Sequence, residues 1–91
     1  MRYKLRTTKQ FDKQLKKCLK RGYDESKLME VVTSLVEGME LHIRHHAHRL
    51  SSKFDYCWEC HITPDWLLLW EYDEDDVILL LLQTGTHSDI F

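Results

Sequence analysis

The 91-residue chain holds one proline, three glycines and three cysteines. No apolar run approaches the length of a membrane span. Three cysteines, Cys18, Cys57 and Cys60, are too few and too odd in number for a disulfide framework, so a reducing compartment is expected. Without an apolar stretch of about 18 residues or an N-terminal signal core, the chain reads as cytoplasmic, with no membrane partner. It contains neither internal repeats nor low-complexity segments, and its length suits a single domain over residues 1–91 with a modest core. Acidic residues are scarce at the start. Residues 1–21 carry nine Lys or Arg against Asp12 alone, whereas residues 22–91 carry four against fourteen Asp or Glu. A basic N-terminal arm suits a nucleic-acid backbone or an acidic protein partner; the plainer reading is a solvated helix face.

What is present is a series of periodic segments. Met1, Tyr3 and Leu5 alternate with Arg2, Lys4 and Arg6, predicting a short half-buried strand. Thr7-x-x-Gln10 resembles a capping box. Phe11, Leu15, Cys18 and Leu19 then recur at helical spacing, with Lys9, Lys13, Lys16, Lys17 and Lys20 on the other face. Gly22 ends that helix and Asp24 caps a second, in which Leu28, Val31, Val32, Leu35, Val36 and Met39 form the apolar stripe. So short a connection implies an antiparallel helix hairpin. Glu40–Ser52 has no periodicity, holds His42, His45, His46 and His48, and reads as a long functional loop. Over Lys53–Thr63, Phe54, Tyr56, Trp58, Cys60 and Ile62 are expected to meet the helices, leaving Asp55, Cys57, Glu59 and His61 on the open face. Leu67–Trp70 and Val77–Leu82, separated by an acidic turn, complete a three-strand antiparallel meander. The pattern is βααβββ, an α+β fold with a mainly antiparallel four-stranded sheet and both helices packed on one face.

That wiring gathers His61, Asp65, Gln83 and His87 at one rim of the sheet, since neighbouring strands lie about 4.8 Å apart. Two imidazoles at one rim are the minimum for cleaving RNA without metal. One takes a proton from the attacking 2′-oxygen and the other gives one to the leaving 5′-oxygen. Surface or turn histidines bonded to backbone are the simpler alternative. Cys57-x-x-Cys60 falls on a strand, where residues three apart point to opposite faces, which argues against a redox or zinc pair. The loop histidines lack a thiolate or carboxylate at fixed spacing. Neither metal nor other cofactor is expected.

His61-Ile-Thr-Pro-Asp-Trp66, the apolar meander and the closing Thr84-Gly-Thr-His-Ser-Asp-Ile-Phe91 resemble the YafQ branch of the RelE/ParE toxins, small toxins of bacterial toxin–antitoxin modules. The resemblance covers the whole chain in length and element order, and is specific from about His48 onward. It implies a RelE-like fold and a ribosome-dependent mRNA endonuclease that meets ribosome and messenger, partners a cognate antitoxin, and reaches operator DNA only through the antitoxin complex. Carried over residue by residue, His48, His61, Asp65, His87 and Phe91 match the family's functional positions, with Phe91 to stack on a base. Trp66 matches the family's aromatic but is expected in the core. Lys9, Lys13, Lys16, Lys17 and Lys20, with Arg49 and Lys53, would meet RNA phosphates. Two positions depart from the pattern. Gln83 and Trp58 stand where the family usually has Arg, which predicts weakened transition-state stabilisation unless Arg44, Arg49 or Lys53 substitutes. Two functions follow: an active mRNA interferase with Gln83 in its catalytic set, or a toxin-derived module that only binds antitoxin and co-regulates its operon. Gyrase inhibition of the ParE kind gives the paired histidines no role.

Overall fold

The computed structural model describes residues 2–50 and 57–91. Its elements are β1 (Lys4–Thr7), α1 (Lys9–Lys20), α2 (Glu25–Val36), a 3-10 turn (Ile43–His45), β2 (His48–Arg49), β3 (Trp58–Thr63), β4 (Trp66–Asp73), β5 (Ile78–Gly85) and α3 (His87–Ile90). The sheet runs β1-β5-β4-β3-β2, parallel only between β1 and β5. The expected meander is β3-β4-β5. The fifth strand, β2, falls within the stretch expected to be loop, because two residues carry no alternation to detect. The placements of Met1, Lys53, Phe54, Asp55 and Tyr56 lie outside the described residues. Among those described, no helix is long and apolar enough to cross a membrane.

Apolar periodicity decides which face each element shows. Phe11 and Cys18 of α1 and Leu28, Val31, Val32 and Leu35 of α2 pack with Cys60, Ile62, Trp66, Leu68, Trp70, Leu79 and Leu81, so both helices cover one face. Trp58 joins the edge of this core, as the alternation predicts. The opposite face carries a smaller cluster of Cys57, Leu67 and Leu69, roofed by Leu50, Leu82 and Ile90. Cys57 and Cys60 are therefore parted by the sheet, and burial pushes their thiols up to about 11 and about 12.

Helix ends follow local chemistry. Gly22 (φ 90°) is the left-handed residue after α1, with Gly22 N–H bonded to Leu19 O and Tyr23 N–H to Cys18 O, a Schellman closure. The Asp24 carboxylate accepts from Ser26 N at 3.0 Å and caps α2, which holds its carboxyl below the usual range. Four expectations are corrected. The α1 cap is Thr8, whose Oγ1 accepts from Phe11 N, because Thr7 is already paired with Leu81 in β1. Leu5 lies exposed on β1, an edge strand of the sheet. Leu19 is exposed on the rim of the α1 stripe, and Met39 is exposed because α2 ends at Val36.

Candidate active site

The two-residue hairpin turn Pro64–Asp65 joins β3 to β4, with Thr63 paired to Trp66. Leu67 pairs with Gly85, so Asp65 and His87, each two residues beyond that pair, meet at the same rim. There a cleft of about 450 Å³ is lined by His61, Asp65 and His87 together with Glu59, Tyr23, Pro64, Leu67, Thr86 and Ser88. The open-face position expected for His61 is the one it takes.

His61 Nδ1 lies 3.3 Å from Pro64 O. A ring nitrogen facing a carbonyl must carry the hydrogen, which leaves Nε2 of the neutral ring as the proton acceptor. The loop before β2 is not structureless: its 3-10 turn docks on this hairpin. His45 is buried and donates from Nδ1 to His61 O at 2.6 Å. His46, in a left-handed conformation (φ 48°), sets its ring edge-on to His61 with centroids 5.9 Å apart.

His48 reaches the site through Glu59. The two are cross-strand partners, and His48 Nε2 lies 3.3 Å from Glu59 Oε1 while Nδ1 donates to His46 O at 2.7 Å. Glu59 is buried and lines the cleft beside His61. The alternation that sets His61 on the open face sets Glu59 there too, within a substrate's reach, although no catalytic role is expected of it from the sequence. Phe91 packs its ring against His87 at 4.9 Å.

Gln83 is elsewhere. A bulge between Leu69 and Trp70 leaves Leu82 unpaired and sets Gln83 opposite Leu69. The Gln83 amide oxygen accepts from Gln14 Nε2 of α1 at 3.2 Å, and Gln83 is not among the cleft-lining residues. The loop cations also separate. Arg49 neighbours His48 on β2 and so faces the other side of the sheet, with its guanidinium 6.0 Å from the Trp58 ring. Arg44 lines a second cleft of about 450 Å³ that His61 also borders. Lys9, Lys13, Lys16, Lys17 and Lys20 are exposed along α1.

The element bearing His87 is tied down from a distance. Thr86 and Asp89 form a capping box, with Thr86 N–H donating to Asp89 Oδ2 at 2.8 Å. Arg21, at the end of α1, bonds both oxygens of Asp89 at 2.6 and 3.0 Å. That guanidinium, helped by the Thr86 amide, holds the Asp89 carboxyl well below the usual carboxylate range. Nothing in the sequence pattern pointed to this pair.

Comparison with solved structures first defines the class. A copper-bound mutant toxin from Helicobacter pylori superposes with a TM-score of 0.92 at 36% identity, covering 100% of both chains. The toxin of an Escherichia coli DinJ–YafQ toxin–antitoxin complex superposes at 0.89 and 27% identity, covering 100% of this chain and 99% of that one. The architecture is thus that of a small RelE-like bacterial toxin. An E. coli mRNA interferase toxin YafQ is 34% identical over 83 residues, 90% of this chain and 88% of its own length. With the model of bacterial type II toxin–antitoxin toxins of the YafQ kind matching residues 3–91, the chain belongs to the YafQ toxin family.

Proposed function

We propose that this protein is a ribosome-dependent mRNA interferase, cleaving messenger RNA by metal-independent attack of a 2′-hydroxyl on the adjacent phosphate. One observation carries the reading: His61 and Asp65, at one hairpin turn, line a single cleft with His87 from the far end of β5. His61, fixed through Nδ1 by Pro64 O, takes the 2′-proton on Nε2. His87 protonates the departing 5′-oxygen. The products are a 2′,3′-cyclic phosphate and a 5′-hydroxyl. Asp65, across the rim from His87, orients that imidazole. Phe91 beside it stacks on a base, and His48, held by Glu59, supports the same wall of the cleft.

Charge stabilisation of the phosphorane falls to Arg44, which borders the cleft adjoining His61. The lysine face of α1 meets RNA phosphates. A cognate antitoxin binds the protein, by analogy with the E. coli complex; the basic lysine face suits an acidic tail of that partner, and operator DNA is reached only through it. The protein works in the cytoplasm, where ribosomes are.

A second reading has one observation in its favour: Gln83, which stands in a family Arg position, is bonded to Gln14 and lies outside the cleft. A binding module that has lost cleavage would look the same there. Induction in cells separates the two. The enzyme arrests growth and cuts messenger, His61→Ala and His87→Ala abolish both, and all three forms bind antitoxin. A wild-type chain that binds antitoxin yet cuts nothing is the binding module. Because one relative binds copper, cleavage is also run in EDTA, and loss of activity there overturns the metal-independent chemistry.

A further inference from the structure

α3 is a single turn, His87–Ile90, too short to hold its own shape. It nevertheless carries His87 into the cleft. Three local features hold it. Ile90 packs on the small cluster of Leu67 and Leu69. The Thr86–Asp89 capping box fixes its first turn. Gly85 (φ 146°) allows Asp89 to fold back, since a Cβ there would lie 2.7 Å from Asp89 Oδ2 and 2.8 Å from Asp89 Cβ.

The fourth hold comes from 68 residues away. The Schellman closure at Gly22 ends α1 beside this turn, and Arg21 presents its guanidinium fork to both Asp89 oxygens at once. Two parallel bonds fix direction as well as distance, which a single lysine contact does not. Asp89 is thereby committed on both sides, to the helix start and to α1. Arg21 is so engaged while the lysines of α1 face outward.

We propose that Arg21 and Asp89 are positioning residues for cleavage: their two-point ion pair, acting through the Thr86 capping box, sets where His87 stands in the cleft. The inference rests on the reading of His87 as the general acid. Neither residue lines the cleft, so neither touches the reacting atoms. The pair sits at the surface, with 38% and 21% of the two side chains exposed, so its removal opens no cavity in the apolar core. Loss of the pair lets α3 wander, and misplacement of a catalytic group by about 1 Å costs on the order of 100-fold in rate.

The test compares wild type, Arg21→Gln, Arg21→Lys, Asp89→Asn, the Arg21→Gln/Asp89→Asn double variant and His87→Ala on messenger-programmed ribosomes, with antitoxin affinity measured alongside. Arg21→Gln and Asp89→Asn should each lower kcat by about 10- to 100-fold with KM nearly unchanged. The double variant should be no worse than the more damaged single, and Arg21→Lys should recover part of the loss. In NMR spectra of Arg21→Gln, the His87 and Phe91 side-chain signals should shift and their mutual ring contact weaken, while His61 signals stay in place. Wild-type kcat and an undisturbed His87–Phe91 contact in Arg21→Gln overturn the proposal. So does a loss of kcat that simply tracks a loss of folded protein. If His87→Ala cleaves like wild type, the reading of His87 as acid fails instead, and the NMR arm still reports whether the pair positions the turn.

Discussion

Thr84 is fully buried, and its hydroxyl is used twice. It accepts from Trp66 Nε1 at 2.8 Å and donates to Leu67 O at 2.8 Å. Through these bonds the end of β5, three residues before His87, is fastened to the start of β4, one residue after Asp65. Thr84→Val keeps the shape and removes both bonds. It leaves the indole N–H, buried with the rest of Trp66, without a partner, at about 1–3 kcal/mol, and strips the Leu67 carbonyl of one bond at about 0.5–1.5 kcal/mol. The sum is about 1.5–4.5 kcal/mol. Thr84→Ser does the reverse, keeping the bonds and losing one buried methyl at about 1 kcal/mol. At about 4–8 °C per kcal/mol for a domain of this size, Val should lower the melting temperature by about 6–36 °C and Ser by about 4–8 °C. Thermal unfolding followed by circular dichroism reads both. If Val is as stable as Ser or better, the hydroxyl is not holding the rim together and the reasoning is refuted.

Other consequences can be checked in the same way. Val77, a β-branched residue at φ 55° in the β4–β5 turn, sits in a conformation that costs about 1–2 kcal/mol, so Val77→Gly should raise stability by roughly 0.5–1 kcal/mol in denaturant titrations despite glycine's freer unfolded chain. Asp89 and Asp24 have carboxyls lowered in the folded state, which stabilises the fold above the ordinary carboxylate value and is lost as pH falls through the lowered ones. Stability should therefore drop on acidification below about pH 4, with Asp89→Asn less acid-sensitive than wild type. Gln83→Arg should leave cleavage within about twofold because residue 83 is turned toward α1, whereas Arg44→Gln should cut it about tenfold, a change of ~1.4 kcal/mol in barrier. Single-turnover rates decide this, and the opposite ranking would return the missing charge to position 83.

The meander was legible because its evidence is local: two apolar runs, an acidic turn and a clean alternation from Trp58 to Ile62. Gly22 and Asp24 were readable for the same reason, each answering a backbone need at its own position. The rim holding His61, Asp65 and His87 followed from strand wiring alone. Gln83 was misplaced because one bulge residue, Leu82, shifts the pairing by a step, and a bulge leaves no mark in an unbroken apolar run. The order in the histidine loop was hidden because its contacts, His45 to His61 O and His48 to Glu59, are long-range and replace periodicity. Arg21 and Asp89 were invisible for the same reason, at 68 residues' separation.

The central claim is that two histidines at this rim perform acid–base cleavage without metal. The most direct measurement is mass spectrometry of the fragment ends made by purified protein on messenger-programmed ribosomes in EDTA. The account predicts 2′,3′-cyclic phosphate and 5′-hydroxyl ends, absent with His61→Ala or His87→Ala. Fragments ending in 3′-hydroxyl and 5′-phosphate, or the predicted ends undiminished in either variant, would contradict it.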